Sequence, residues 1–190
     1  MFKKIFKHKI LQTNESVEVI GLNKGVQASY VWNLFRVSNK SLIVVTNTLF
    51  EANSLYKLLS FYTTESVLFF PMDDFLVSEA LAISPDLMSK RIETLNELAT
   101  KNNKNIIITN LLGYLRFLPS KELSKKLQIF LSRTQTIERD ELVNRLNMIG
   151  YEKNSIVTKT GEYANRGYIL DIFPYGAEEP IRIEFFDNEL

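Results

Sequence analysis

The sequence has no cysteine and a single histidine, His8, among its 190 residues. These absences exclude a disulfide framework and a thiolate metal site, and they make a histidine-based zinc site implausible. No Ser-His-Asp or Cys-His arrangement is visible, so we expect no catalytic residues and no bound metal. No apolar run approaches the ~20 residues that span a bilayer, and the first residues lack the pattern of a signal peptide. A cytoplasmic location without membrane contact is therefore expected.

The chain also lacks an excess of either charge. Its 23 basic and 22 acidic residues give a formal net charge of +1, so no general field draws the protein to nucleic acid. The first nine residues alternate lysines with apolar side chains. This pattern fits a leading helix docked on the body of the protein better than it fits contact with DNA or a membrane surface. Any contact with nucleic acid must be local.

Strands and helices alternate in the first two thirds of the sequence, and 45% hydrophobic content is ample for a core. Apolar runs predict strands at 17–20, 42–46, 67–70 and 105–109. Helical spacing predicts helices at 26–36 and 49–62, and a third that starts at Ser84-Pro85-Asp86. This alternation predicts an α/β domain with a parallel sheet between helices.

The loop Gly21 to Ala28 stands where a nucleotide-binding loop would follow the first predicted strand. A working loop needs a lysine for the outer phosphates and a hydroxyl for Mg²⁺. If Gly21 opens this loop, those positions hold Gln27 and Ala28, which can do neither. The segment is either a phosphate loop that has lost its chemistry or an ordinary turn between a strand and a helix. The acidic pair Asp73-Asp74 is a weak sign of nucleotide hydrolysis, because Pro71 and Met72 separate it from the strand before it.

The pattern changes near 119–126, where Pro119, Ser120 and several lysines interrupt the apolar periodicity. We therefore expect one domain at 1–123 and a second at 124–190. In the second, the sequence predicts a strand at 127–132, a helix at 139–148 capped by Gly150, and antiparallel strands after residue 156. This region is predicted to be a small α+β domain.

The segment 181–186 alternates along a predicted strand. Ile181, Ile183 and Phe185 would share a core face, while Arg182, Glu184 and Phe186 would share the other. Arginine beside an aromatic ring on an outer strand face is typical of a protein–protein interface. The alternative is that Arg182 and the upstream Arg166 pair with local carboxylates and that Phe186 packs under a loop.

Three motifs carry a specific resemblance: GEYANRG at 161–167, ILDIFP at 169–174 and PIRIEFFD at 180–187. Together they resemble the UvrB-homology module of the bacterial transcription-repair coupling factors, the Mfd family. The helix start at 84–86, with Arg91, Thr94 and Leu95, and the loop at 21–28 are similar to the same module. The resemblance runs from the first predicted strand to the end of the chain.

The resemblance implies a RecA-like parallel-sheet domain whose degenerate phosphate loop contains Gly21, Gly25, Gln27 and Ala28, followed by a domain like the second domain of UvrB. In that family this module recruits UvrA, the damage-recognition subunit of nucleotide excision repair, to RNA polymerase stalled at a lesion. The family's UvrA-contacting positions fall on Arg166, Arg182 and Phe186 in this sequence.

The resemblance further implies that the chain is a catalytically inactive, incomplete part of an ATP-dependent DNA translocase. ATP and Mg²⁺ are then expected in a motor domain outside it, with no cofactor in the chain itself. RNA polymerase and DNA would be bound by other domains.

Two alternatives stay open. The first is the N-terminal part of the UvrB helicase, with DNA and ATP binding. Two features disfavour it: the loop has Gln27 and Ala28, and the segment 72–83 is too short for UvrB's tyrosine-rich hairpin. The second is a module that binds DNA on its own, through lysines that the fold would have to bring together. Those lysines are Lys3, Lys4, Lys24 and Lys90.

Overall fold

The computed structural model describes residues 16, 18–63, 67–74, 84–132 and 135–185. The chain forms two compact units that do not follow chain order. The first comprises Met1–Leu76 and Asn103–Arg116, and the second Val77–Asn102 and Phe117–Leu190. The helix that begins after Ser84 thus lies in the second unit, although the sequence placed it in the domain 1–123; that domain division stays a prediction. The lysine-rich first nine residues lie outside the described residues.

Among the described residues, helices and strands alternate in the first part of the chain, and two further helices then precede a run of strands. The helices are α1 Lys24–Val37, α2 Leu49–Tyr62, α3 Pro85–Thr100, α4 Leu111–Tyr114, α5 Lys121–Lys126 and α6 Arg139–Met148. The strands are β1 Leu42–Thr46, β2 Val67–Phe70, β3 Ile106–Asn110, β4 Glu152–Lys153, β5 Glu162–Arg166, β6 Ile169–Ile172 and β7 Ile181–Glu184. None of these helices is both long enough and apolar enough to cross a membrane.

The first unit contains a parallel sheet with the strand order β1-β3-β2. Ile106 pairs with Leu42 on one side and with Val67 on the other. The buried face of the sheet packs Ile106 and Ile108 against Phe35 of α1 and Leu59 of α2. The predicted α/β arrangement is confirmed at this level, with a parallel sheet in one unit and a smaller sheet in the other.

The predicted strand at 17–20 is wrong over the residues that the structure describes. Residues 18–20 form no strand, and Ile20 is 80% exposed. An extended segment needs a neighbouring strand edge to satisfy its backbone groups and a surface to cover its side chains. This run has neither among the described residues, so the sheet has three described strands rather than the predicted four.

The second unit contains a four-stranded sheet in the order β4-β5-β6-β7. Strand β4 runs parallel to β5, and β5, β6 and β7 are antiparallel. Helix α6 covers one face, where Leu142 and Leu146 join Tyr163, Leu170 and Phe185 in a core. This core fixes which residues of the strands point away from α6.

The helix predicted at 139–148 and its cap at Gly150 are confirmed. Gly150 has a φ of +92°, a left-handed conformation that glycine adopts without a steric penalty. Its N–H donates to the carbonyl of Asn147, and the N–H of Tyr151 donates to that of Leu146. These bonds satisfy carbonyls at the end of the helix and turn the chain toward β4.

The strand predicted at 127–132 is wrong. Leu127 ends α5, and the residues after it form no strand. Ile129 and Leu131 pack partly against the core, whereas Phe130 is 72% exposed. The alternation in the sequence therefore reflects burial of alternate side chains, but none of the described strands pairs with this segment.

Candidate protein-binding face

The face of the second sheet that points away from α6 carries the two arginines singled out by the sequence. Asp171 of β6 lies opposite Ala164 of β5 on one side and opposite Arg182 of β7 on the other. Side chains directly opposite one another in an antiparallel pair lie on the same face. Because side chains alternate along β5, Arg166 shares the face of Ala164. We call this surface, with Arg166, Asp171 and Arg182, the arginine face.

Arg182 forms a two-point ion pair with Asp171. Its Nε donates to Oδ1 at 2.7 Å and its Nη2 to Oδ2 at 3.0 Å. The Arg182 side chain remains 57% exposed, whereas that of Asp171 is 13% exposed. The carboxylate is thus covered while the arginine that it holds reaches solvent.

Arg166 joins the same carboxylate from the other side. Its Nη2 donates to Oδ2 of Asp171 at 3.3 Å, and its side chain is 56% exposed. The hydrogen bonds from Arg182, and the positive charges of Arg182 and Arg166, hold the pKa of Asp171 below its ordinary value despite the opposing effect of burial. Asp171 also raises the pKa of Arg182. Both arginines are therefore held beside an ionised carboxylate.

The hairpin that carries Arg166 is fixed at its tip. Gly167 has a φ of +61° in the turn between β5 and β6. Arg139 of α6 donates from Nη1 to the Gly167 carbonyl at 2.7 Å, and the N–H of Phe185 donates to the carbonyl of Tyr168 at 2.9 Å. These two bonds tie the turn to α6 and to the end of β7.

A buried carboxylate organises the other end of β5. Glu162 accepts from the N–H groups of Thr158 and Lys159, at 2.8 and 3.1 Å, and from Nδ2 of Asn154 at 2.8 Å. The hydrogen bond from the Thr158 backbone is the largest of the effects that keep the pKa of Glu162 below its ordinary value. Glu162 thus accepts the hydrogen bonds of two backbone N–H groups in the loop before β5, and its buried carboxylate is not exposed to a partner.

The structure thus brings Arg166 and Arg182 together, 16 positions apart in the sequence, and leaves both exposed. The arginines pair with a local carboxylate and still face solvent, and their role at a protein–protein interface stays a prediction. Phe185 is buried, in agreement with the predicted alternation, but Ile181, predicted for the same core face, is 43% exposed. Phe186 lies outside the described residues. Sequence reasoning missed Asp171 as the shared partner, because only the strand register places it between the arginines.

The loop before α1 has a different chemistry. Gly21 has a φ of +78°, and Asn23 caps α1 by accepting from the N–H of Val26 at 3.0 Å. Nε2 of Gln27 donates to the carbonyl of Leu22 at 3.2 Å. Ala28 is fully buried in the core of the first unit. The position that would need a metal-binding hydroxyl is therefore a packed methyl group.

One residue of the acidic pair after β2, Asp74, also has a structural role. Asp74 accepts from the N–H of Leu49 at 2.8 and 2.9 Å through its two carboxylate oxygens. Nδ2 of Asn110 donates to the same carboxylate at 2.8 Å. Asp74 thereby binds the first turn of α2, where a negative charge is stabilising. No group of three or more His, Cys, Asp or Glu side chains that could hold a metal occurs among the described residues.

Known proteins show similarity to both units. The UvrB interaction domain family matches residues 129–190. The transcription-repair-coupling factor of Staphylococcus aureus strain bovine RF122 / ET3-1 is 37% identical over 173 residues, which cover 90% of this chain and 15% of that protein. The Bacillus subtilis strain 168 protein of the same name is 33% identical over 171 residues, covering 90% of this chain and 14% of that protein.

The chain therefore spans about 15% of the length of the curated relatives that it matches. The matched family segment contains α6 and all four strands of the second sheet, and so includes the arginine face. The resemblance indicated by the three sequence motifs is confirmed. Over nine tenths of its length the chain is a relative of the transcription-repair-coupling factors, and residues 129–190 match the UvrB interaction domain.

Proposed function

We propose that this chain is the part of a transcription-coupled repair factor that recruits UvrA, and that it binds UvrA through the arginine face. The observation that carries the proposal is the convergence of Arg166 and Arg182 on one carboxylate, with both side chains more than half exposed. The match of residues 129–190 to the UvrB interaction domain supports the same assignment.

Arginine suits this role because its planar guanidinium pairs with carboxylates in a defined geometry and is more weakly hydrated than an ammonium group. UvrA then presents acidic groups to Arg166 and Arg182, and an apolar surface to Phe186. A face of this kind is specific for its partner because wrong partners would leave the arginines desolvated without a counter-charge.

The first unit is proposed to be a RecA-like domain that has lost nucleotide binding. Gln27 supplies no charge at the lysine position, and its amide is bonded to the loop itself. Ala28 cannot ligate a metal. We therefore assign no catalysis to this chain and place ATP hydrolysis, DNA translocation and RNA polymerase binding in other parts of the whole protein.

The test is a calorimetric titration of UvrA with the unsubstituted chain and with three variants, Arg166→Ala, Arg182→Ala and Phe186→Ala. Each variant is expected to lose about 2 kcal/mol of binding free energy or more, roughly thirtyfold in affinity. Arg36→Ala is the matched control, because Arg36 is an exposed arginine of α1 in the first unit. Unchanged affinity in all three variants would reject the proposal.

A further inference from the structure

Asp171 lies between two arginines on the arginine face and forms an ion pair with each of them. Its side chain is 13% exposed and lies on the central strand of the three that form the face, so its carboxylate has little freedom to move. Arg182 approaches it from β7 and Arg166 from β5. One covered carboxylate therefore restrains two long, exposed side chains.

The restraint leaves specific donors open. Asp171 engages Nε and Nη2 of Arg182, and Nη2 of Arg166. Within the described residues, no hydrogen bond involves Nη1 of Arg182, or either Nε or Nη1 of Arg166. Arg166 consequently keeps more donors available for a partner than Arg182 does.

Binding through free arginines carries a cost in conformational entropy. Immobilising a side chain of this length at an interface costs about 0.5 to 1.5 kcal/mol. Where a carboxylate of the same protein already restricts the guanidinium, part of that ordering has taken place before the partner arrives. Restraining two arginines lowers the entropy cost of binding more than restraining one.

We propose that Asp171 is a positioning residue that orders Arg166 and Arg182 so that their open N–H groups meet carboxylates of the partner. The inference rests on the proposed function, because the partner is taken to be UvrA. It assigns the larger share of direct contact to Arg166 and a more structural share to Arg182.

Removal of the Asp171 charge has two opposite consequences that can be separated. The face becomes more positive, which speeds the encounter with an acidic partner, and the arginines lose their orientation, which shortens the life of the complex. Long-range charge acts mainly on the association rate constant, and short-range geometry acts mainly on the dissociation rate constant. Affinity alone would mix the two.

The test is surface plasmon resonance of UvrA with the unsubstituted chain and the Asp171→Asn variant. The dissociation rate constant is expected to rise about tenfold in Asp171→Asn, which corresponds to the ordering cost of two side chains. The association rate constant is expected to stay the same or rise. Glu141→Gln is the matched control, because it removes one negative charge at an exposed position of α6, the helix that packs on the other face of the sheet; it should leave the dissociation rate constant unchanged.

A second readout needs no partner. Nitrogen-15 relaxation at Nε of Arg166 and Arg182 should report restricted motion in the unsubstituted chain and faster motion in Asp171→Asn. Asp171→Glu keeps the negative charge, so its complex should dissociate more slowly than that of Asp171→Asn. This comparison distinguishes loss of the ion pairs from poor folding of a variant.

The outcomes separate the two proposals. If the unsubstituted chain binds UvrA but Asp171→Asn changes neither the dissociation rate nor the motion of the arginines, the positioning role is overturned and the proposed function survives. If the unsubstituted chain does not bind UvrA, the proposed function is overturned, and the role of Asp171 in binding with it.

Discussion

In the loop before α1 the polar side chains bond to their own backbone, whereas on the arginine face two cations point to solvent. Gln27 donates to Leu22, and Asn23 caps its own helix. Arg166 and Arg182 share a carboxylate and remain more than half exposed. Polar groups whose hydrogen bonds are completed internally stabilise the fold, and those left with open donors are available to a partner.

The largest expected effect is a charge reversal on the arginine face. Arg166→Glu should weaken UvrA binding by about 3 kcal/mol or more, because it replaces an attraction with a repulsion from acidic groups of the partner. Calorimetric titration checks this, with Arg36→Glu as the control for net charge. Equal losses in the two variants would mean that net charge, and not this face, governs binding.

A buried carboxylate of the same unit should behave in the opposite way. Glu162→Gln is expected to lower the free energy of unfolding by about 2 kcal/mol, because it weakens charge-assisted bonds to Thr158 and Lys159. UvrA affinity measured below the unfolding transition should not change. A loss of UvrA affinity without a loss of folding stability would contradict the view that buried polar groups stabilise the fold and exposed ones bind the partner.

The same residue predicts a pH dependence. The pKa of Glu162 is below its ordinary value of 4.5 in the folded protein, so its contribution to stability is present above that value and is lost as the pH falls through the lower folded pKa. Urea unfolding between about pH 5 and pH 3 should therefore show a shallower decline in Glu162→Gln than in the unsubstituted chain. Glu178→Gln, at an exposed position, is the control.

Placing the residues of a working phosphate loop at 27 and 28 should not create a nucleotide site. In the double variant Gln27→Lys with Ala28→Thr, the threonine enters a fully buried position and should cost about 1 to 2 kcal/mol of stability through overpacking and an unsatisfied hydroxyl. Fluorescence titration with labelled ATP and Mg²⁺ should detect no binding. Mg²⁺-dependent binding would show that these two side chains alone decide whether the loop binds nucleotide.

The smallest effect is expected at the acidic pair. Asp74→Ala should lower the free energy of unfolding by about 1 kcal/mol, because it removes a cap from the first turn of α2. Asp73→Ala, with no capping contact to lose, should cost less in the same denaturation measurement. Equal costs would contradict the structural role assigned to Asp74.

Local signals in the sequence predicted much of the fold. The helices at 49–62 and 139–148 and the strands at 42–46 and 67–70 agree with the structure, because their apolar spacing and end signals are contained in the segments themselves. Thr48 caps α2 by accepting from the N–H of Glu51, and Gly150 ends α6. The short helices α4 and α5, which bury little, were missed.

Features that depend on distant pairing could not be predicted. The apolar runs at 17–20 and 127–132 suggested strands, but a strand also needs a free edge to join, and no local pattern supplies one. The capping of α2 by Asp74 joins residues 25 positions apart. Asp171 lies between Arg166 and Arg182 because of the register of three strands. The arginines could be chosen from their motifs, but the carboxylate that links them could not.

The most direct measurement is a calorimetric titration of UvrA with the unsubstituted chain and with the double variant Arg166→Ala and Arg182→Ala. The arginine-face account predicts binding by the unsubstituted chain and a loss of about a hundredfold or more in the double variant. Equal affinities for the two proteins would contradict it.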